Sequence, residues 1–194
     1  MQPGYFDELY AGADDPWGLA DRFYERRKRA LLLASLPREH FERAFEPGCA
    51  TGLVTHALAA RCDEVLATDV APRAVELTRR RTAADQNVSV AQACFPDELP
   101  GGTFDLVVLS EVGYYCADLD ILAAALESIL QPDGVVIGCH WRHDAPDHPH
   151  TAEAVHAVLG AGRHRLASHV EEDFLLEVWG TAAPSVAQRE GIVG

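Results

Sequence analysis

Short, nearly continuous apolar runs alternate along this chain with longer stretches in which apolar positions recur every three or four residues. The first pattern suits strands covered on both faces of a parallel sheet, and the second suits helices laid against it. A helix is predicted from Asp21 to Ser35, with Phe23, Ala30, Leu31 and Leu33 among its apolar positions and Pro37 stopping it. A strand from Arg43 to Glu46 follows, then a helix from Thr51 to Arg61 that buries Leu53, Val54, Ala57 and Leu58, then a strand from Glu64 to Thr68. Pro72 sits in the first turn of the next helix, which continues to Ala84, and a third strand covers Val88 to Ala91. Phe104 to Ser110 is the longest such run and predicts a central strand. A helix from Asp118 to Leu130, a sharp turn at Gln131-Pro132-Asp133-Gly134 and a fifth strand from Val135 to Cys139 come next. A helix from Thr151 to Leu159 and two further strands, Arg163 to Val170 and Asp173 to Trp179, complete the pattern; residues 181–194 read as a loose tail.

This alternation predicts an α/β fold with a doubly wound, Rossmann-like sheet. Such sheets bind ligands beyond the carboxyl ends of their strands, where the strand order switches. Four places should therefore converge: the loop after Glu46, Asp69, the loop after Ala91, and Ser110-Glu111.

Chemistry enters at two of these places. Phe45-Glu46-Pro47-Gly48-Cys49-Ala50-Thr51-Gly52 is an apolar segment running into a glycine turn, and Leu66-Ala67-Thr68-Asp69-Val70 is a second apolar segment ending in an acid. Glycines permit close backbone approach to a ligand, and the acid accepts hydrogen bonds from ribose hydroxyls. The turn is not the three-glycine loop of dinucleotide sites, and no Gly-Lys-Ser/Thr follows to hold a triphosphate. It suits an adenosine ligand without phosphates, of which S-adenosyl-L-methionine (SAM) is the leading candidate.

Composition narrows the alternatives. The 194 residues fit one domain with a continuous core. No apolar run approaches the roughly 20 residues that cross a bilayer, and the acidic, aromatic segment Met1 to Asp15 is unlike a signal or transit peptide. Five scattered cysteines without a Cys-x-x-Cys pair read as reduced thiols in a cytoplasmic protein. A formal charge of −14 opposes nucleic acid and anionic membrane as partners and accords with a cationic or neutral small substrate.

With these motifs the chain resembles the class I SAM-dependent methyltransferases, and more narrowly the nodulation protein S (NodS-like) family, whose members methylate the free amine of an amino sugar. The residues that carry the resemblance are Asp15-Pro16-Trp17, Tyr24-Glu25-Arg26-Arg27, Glu46-Pro47-Gly48-Cys49 and Ala67-Thr68-Asp69-Val70-Ala71-Pro72, then Phe104 through Glu111 with Val112, Tyr114 and Tyr115, and His140-Trp141. It implies a seven-stranded sheet in the order 3-2-1-4-5-7-6 with strand 7 antiparallel, an N-terminal helical lid over residues 1–40 and a SAM-binding domain over residues 41–180. Many class I enzymes place an aspartate after strand three for the adenine amino group; Ala93-Cys94-Phe95 stand there, so backbone groups of Ala93 and Cys94, or water, take that role.

The candidate cofactor residues are thus Trp17 or Tyr24 on the lid, one of the basic helix patch Arg22, Arg26, Arg27, Lys28 and Arg29, with Arg27 leading, toward the methionine carboxylate, and Glu46 toward its ammonium. Gly48, Cys49 and Gly52 provide the close approach; Asp69 and Val70 meet the ribose, Ala93, Cys94 and Phe95 the adenine, and Ser110 and Glu111 the methyl-transfer corridor. For catalysis the candidates are His140 at the end of strand five, Glu111 as base through water or as attractor of a cation, and Tyr115 (or Tyr114) beside the methyl. The histidine-rich segment from His140 to His150 lacks regular metal-ligand spacing because of its prolines, so no metal site is expected, and His143, His148 and His150 are expected on a loop near the entrance. The expected activity is methyl transfer to the free amine of an amino sugar or related metabolite. The alternatives are O-methylation with the same cofactor, a non-catalytic nucleoside-binding module, and a dinucleotide oxidoreductase.

Overall fold

The computed structural model describes residues 3–181 and 184–194. Its strands are β1 (Phe41–Pro47), β2 (Cys62–Asp69), β3 (Val88–Gln92), β4 (Phe104–Ser110), β5 (Leu130–Trp141), β6 (His164–Val170) and β7 (Phe174–Gly180), and they form one sheet in the order β3-β2-β1-β4-β5-β7-β6. The first five run parallel, and β7 pairs antiparallel with both β5 and β6. The order switches between β1 and β4, whose carboxyl ends are Pro47 and Ser110. Helices α1 (Pro3–Gly12), α2 (Phe23–Ala34), α3 (Leu53–Ala59), α4 (Pro72–Arg81), α5 (Leu119–Ile129), α6 (Ala152–Leu159) and α7 (Val186–Arg189) complete the chain.

The central strands are buried on both faces, as their apolar runs require: Phe104 and Leu106 to Leu109 are each at most 1% exposed. Asp105 interrupts that run without an energetic penalty left open. Its carboxylate accepts the backbone N–H groups of Glu42 and Arg43 at 3.0 and 2.8 Å and pairs with Arg38, so it pins the start of β1 to β4.

The structure changes two expectations in detail and gives the bounds of a third element. β5 begins at Leu130, because the segment read as a sharp turn, residues 131–134, is an irregularity within the strand where the register with β4 shifts. The acidic N-terminal segment forms α1, whose Phe6 and Tyr10 pack with Val70, Ala71 and Ala74 beyond β2. The segment read as a loose tail contains α7, capped by a reciprocal Ser185–Gln188 pair.

Candidate active site

A cavity of about 470 Å³ opens at the β1/β4 switch, and the tips of β1, β2, β4 and β5 all reach it. This is the size of a small-molecule site. One side is built from the loop after β1 and the end of β2: Glu46, Gly48, Cys49, Ala50, Thr51, Asp69 and Val70. Ala93 and Phe95 extend that side, and Phe6, Tyr10 and Trp17 cover it. The other side is built from Ser110, Glu111, Val112, Tyr114, Tyr115, Trp141, Ala145, Asp147 and His148.

Backbone geometry makes the first side. Gly48 has φ of 71°, in the left-handed region, and a Cβ there would stand 2.9 Å from Val112 Cγ2. Asp69, 8% exposed, ties the glycine turn to the strand end: Oδ2 accepts the Ala50 N–H at 2.9 Å and Oδ1 the Ala71 N–H at 3.0 Å. Burial pushes the Asp69 pKa up, against the pull of those N–H groups. Each carboxylate oxygen keeps a second lone pair for a ligand hydroxyl. Glu46 is more desolvated still; burial raises it to about 8, opposed by the Thr55 hydroxyl that donates to Oε2 at 2.5 Å.

Trp17 is set in place by its turn. Asp15 accepts the N–H groups of Leu19 and Ala20 at 2.8 and 3.0 Å, Gly18 takes φ of 68°, and the indole meets Tyr10 edge-on at 5.7 Å. The Tyr10 hydroxyl and Thr51 Oγ1 are buried on the cavity wall with no partner among the described residues. Orphaned donors beside a carboxylate are what a polar ligand with hydroxyls and an amino-acid end would satisfy, so the residues present fit SAM.

Side chains make the second side. Glu111 has φ of 57°, an unusual conformation for a residue with a Cβ, and every bond it makes holds it there. Oε1 accepts Lys28 Nζ at 2.5 Å, while Oε2 accepts the Tyr114 hydroxyl at 2.5 Å and the Trp141 N–H at 2.9 Å. Lys28, only 6% exposed, also pairs with Glu25 at 3.1 Å. Burial acts to discharge Lys28, but Glu111 and Glu25 outweigh it and raise its pKa, so it stays cationic. Burial and Glu111 likewise keep the Tyr114 phenol protonated.

Trp17, Glu46, Gly48, Cys49, Asp69, Val70, Ala93, Phe95, Ser110, Glu111 and Tyr115 all line the cavity, and five expected residues do not. His140 is fully buried behind the wall. Alternate residues of β5 point to opposite faces, and the His140 ring enters the layer under α6. There Nε2 accepts the Gly113 N–H at 3.0 Å, and Nδ1 lies 3.0 Å from His156 Nε2, whose own Nδ1 lies 3.0 Å from Glu177. Because the Glu177 carboxylate accepts from His156, both rings carry their proton on Nδ1. Burial first, and then mutual repulsion, holds His140 neutral. It braces the turn after β4 and does not line the cavity.

Arg27 pairs with Glu171 in the β6–β7 turn at 2.6 Å. Helical periodicity explains the miss: Arg22, Glu25, Lys28, Arg29 and Leu32 share the face of α2 that meets the cavity, and Arg27 projects from the other side. Tyr24 packs edge-on against Trp141 and Phe174, supporting the wall from outside. Gly52 caps α3 at φ of 74°, where a Cβ would meet Thr78 at 2.9 Å, so its smallness serves helix packing. Cys94 does not line the cavity: its N–H is donated to Glu98 at 2.7 Å and its carbonyl accepts the Glu98 N–H at 2.8 Å, while Ala93, whose N–H is donated to the Asp69 carbonyl, does line it.

Lys28, one of the basic patch, and Glu25 line the cavity, as do Tyr10 and Asp147, which the sequence does not single out, and His148, expected near the entrance. A helical-face analysis of residues 22–32 finds the first two. Nothing local places the others, which arrive by docking of α1 and the loop after β5. Among the described residues no group of three or more His, Cys, Asp or Glu side chains is placed to hold a metal ion, and no helix is long and apolar enough to cross a membrane.

Comparison with known proteins supplies the family. The model of the family described as nodulation protein S matches residues 7–172. The chain belongs to that family. It is 32% identical over 182 residues to nodulation protein S of Bradyrhizobium diazoefficiens, covering 87% of each chain. With the Rhizobium tropici protein it is 36% identical over 120 residues, a stretch that spans 61% of this chain and half the length of that relative. Among solved structures, the N-methyltransferase NodS of Bradyrhizobium japonicum in complex with S-adenosyl-L-homocysteine superposes with a TM-score of 0.82 at 28% identity, over 94% of this chain and 100% of that one. The chain is therefore a SAM-dependent methyltransferase, and SAM is its cofactor.

Proposed function

We propose that this enzyme methylates the free amine of a small molecule, with an amino sugar or related metabolite as the leading acceptor. The observation that carries this reading is the charge and shape of the second side of the cavity. Carboxylates of Glu25, Glu111 and Asp147 stand there with the rings of Tyr114, Tyr115 and Trp141, and the one lysine, Lys28, is already committed to two of the acids. Such a wall attracts an ammonium group and offers aromatic faces to the body of the molecule that carries it. The N-methyltransferase described for the Bradyrhizobium japonicum relative accords with this choice.

SAM, when bound, supplies a methyl group whose carbon–sulfur bond breaks as the acceptor's lone pair forms the new carbon–nitrogen bond. The protein contributes alignment and exclusion of water, for which large effective molarities are available. Asp69 holds the ribose and Glu46 the amino-acid end. Arg22 and Arg29, on the cavity face of α2, take the carboxylate in place of Arg27. Residues 1–40 act as a lid: α1 and the Trp17 turn close over the cofactor side, and the Tyr5 hydroxyl donates to Asp147 across the opening at 2.8 Å.

A radiolabelled-methyl screen over amino sugars, their N-acetyl forms and hydroxylated analogues tests the reading. Free amines should accept label while N-acetyl forms do not. Label on N-acetylated or amine-free compounds alone rejects it in favour of O-methylation.

A further inference from the structure

We propose that His148 is the catalytic proton acceptor, taking the proton from the ammonium form of the incoming amine. The assignment rests on the amine reading above. Among the described residues His148 is the only histidine on the cavity wall. Its ring is fixed in plane: it stacks on Tyr114 with centroids 3.7 Å apart at 17°, and meets Tyr115 edge-on at 4.9 Å. A turn closed by the His148 N–H to the Ala145 carbonyl, at 3.0 Å, presents it. Tyr115 in turn is met edge-on by Phe6 of α1 at 5.1 Å, so the docked lid and the ring are parts of one aromatic cluster.

The other candidate bases each have a protein partner: both oxygens of Glu111 hold hydrogen bonds, Glu25 pairs with Lys28, Asp147 accepts from Tyr5, and His140 is sealed behind Gly113. Neither ring nitrogen of His148 has a protein partner among the described residues, whereas His140, His143, His156 and His169 are all engaged. The charged and titratable groups around it are Asp147 on its own loop, Tyr114 and Tyr115 in the turn after β4, Glu111 at the β4 tip, and His140 on β5. Burial lowers the His148 pKa against the opposing pull of Asp147 and Glu111, so the ring is neutral near pH 7 and can receive a proton.

The proton balance is simple. An amine arriving as R–NH3+ gives one proton to a His148 ring nitrogen and keeps the electron pair as R–NH2. The imidazolium then releases that proton to water. A protonated amine has no lone pair with which to attack, so this step gates transfer below the amine's own pKa.

The test combines kinetics with a readout that needs no turnover. H148F keeps a stacked ring and removes the nitrogens; H148Q keeps polarity and removes the base. With the best free-amine acceptor from the screen, both should lower kcat/KM at pH 7 by about 30- to 100-fold. Both should recover to within about threefold of wild type near pH 9.5, where the amine deprotonates unaided. Affinity for S-adenosyl-L-homocysteine should not change. In wild-type protein, the one imidazole NMR signal absent from H148F should titrate below the ordinary histidine value and shift when glucosamine is added with S-adenosyl-L-homocysteine. An equal loss at every pH, no loss, or a signal indifferent to the amine overturns the assignment of His148 and leaves the amine reading standing. A screen that labels only hydroxyl compounds overturns both.

Discussion

The two sides of the cavity are made in opposite ways. On the side proposed for the cofactor, the wall beneath Phe6, Tyr10 and Trp17 is backbone and single buried acids: Gly48 in the left-handed region, and Asp69 and Glu46 with pKa values pushed up. On the acceptor side, contacts come from side chains of four separate elements, and the one buried cation, Lys28, is neutralised by Glu111 and Glu25. In our reading the floor of the cofactor side is thus set by the β1 and β2 tips, which one short stretch of sequence supplies. The acceptor side is set by groups that only tertiary packing brings together, where a change on any one element should alter specificity without disturbing the cofactor.

The largest effect should come from Asp69→Ala. It removes the proposed ribose acceptor and also the two backbone bonds from Ala50 and Ala71 that shape the glycine turn. The dissociation constant for S-adenosyl-L-homocysteine, measured by calorimetry, should rise about 100-fold or more, roughly 2.7 kcal/mol. An unchanged constant would mean that the ribose lies elsewhere.

A pair of glycines separates the two sides more sharply. Gly48→Ala forces a side chain into the left-handed region, at about 1–2 kcal/mol, and against Val112. It should weaken S-adenosyl-L-homocysteine about tenfold. Gly113→Ala drives a Cβ to 2.4 Å from Val155 Cγ1 and 2.9 Å from His140 Nε2. It should break the His140 brace and lower kcat about tenfold, with the cofactor's affinity within about threefold of wild type, because Gly113 lies on the acceptor side. Equal losses of cofactor affinity in both variants would erase the division.

Glu46 gives a smaller, graded effect with a definite sign. Its folded pKa, about 8, lies above the ordinary carboxylate value of 4.5. The folded state therefore holds this proton more tightly than the unfolded state does. The stability it contributes is complete below about pH 4.5 and is lost as pH rises through about 8. A ligand ammonium favours the ionised form, so S-adenosyl-L-homocysteine should bind more tightly as pH rises from about 5 to 8, by at most about tenfold per pH unit, with proton release. Calorimetry in two buffers of different ionisation enthalpy measures that release. Glu46→Gln should flatten the profile; a flat profile in wild type would remove Glu46 from the ammonium site.

What the sequence disclosed follows the same division. The β1 and β2 tips were legible because Glu46, Gly48 and Asp69 sit at fixed offsets from apolar runs, and a parallel strand must deliver its last residue to the switch. The sheet order came through the family resemblance and is the order observed. His140 was misread because β5 is covered on both faces, so a polar residue near its end has two directions to choose from, and the buried pair His156–Glu177 draws it away from the cavity. The sequence places His148 only on a loop near the entrance and does not single out Asp147, because a loop rich in proline and histidine carries no periodicity from which to place its side chains. Their position depends on Tyr114, Tyr115 and Tyr5, residues 33 to 142 positions away in the chain or in a helix that local pattern did not announce.

The smallest expected effect belongs to Arg27, and it bears directly on how α2 serves both sides. The helix presents Arg22, Glu25, Lys28 and Arg29 to the cavity, while Arg27 reaches Glu171 on the rim, half-exposed and screened by solvent. Exposed ion pairs contribute little to stability, and neither Arg27 nor its partner Glu171 lines the site. Arg27→Ala should therefore leave S-adenosyl-L-homocysteine affinity within about twofold of wild type, whereas Arg29→Ala, on the cavity face, should weaken it by about fivefold or more. If the two substitutions weakened binding equally, α2 would have to be rotated in the cofactor-bound enzyme, and the assignment of the methionine carboxylate would return to Arg27.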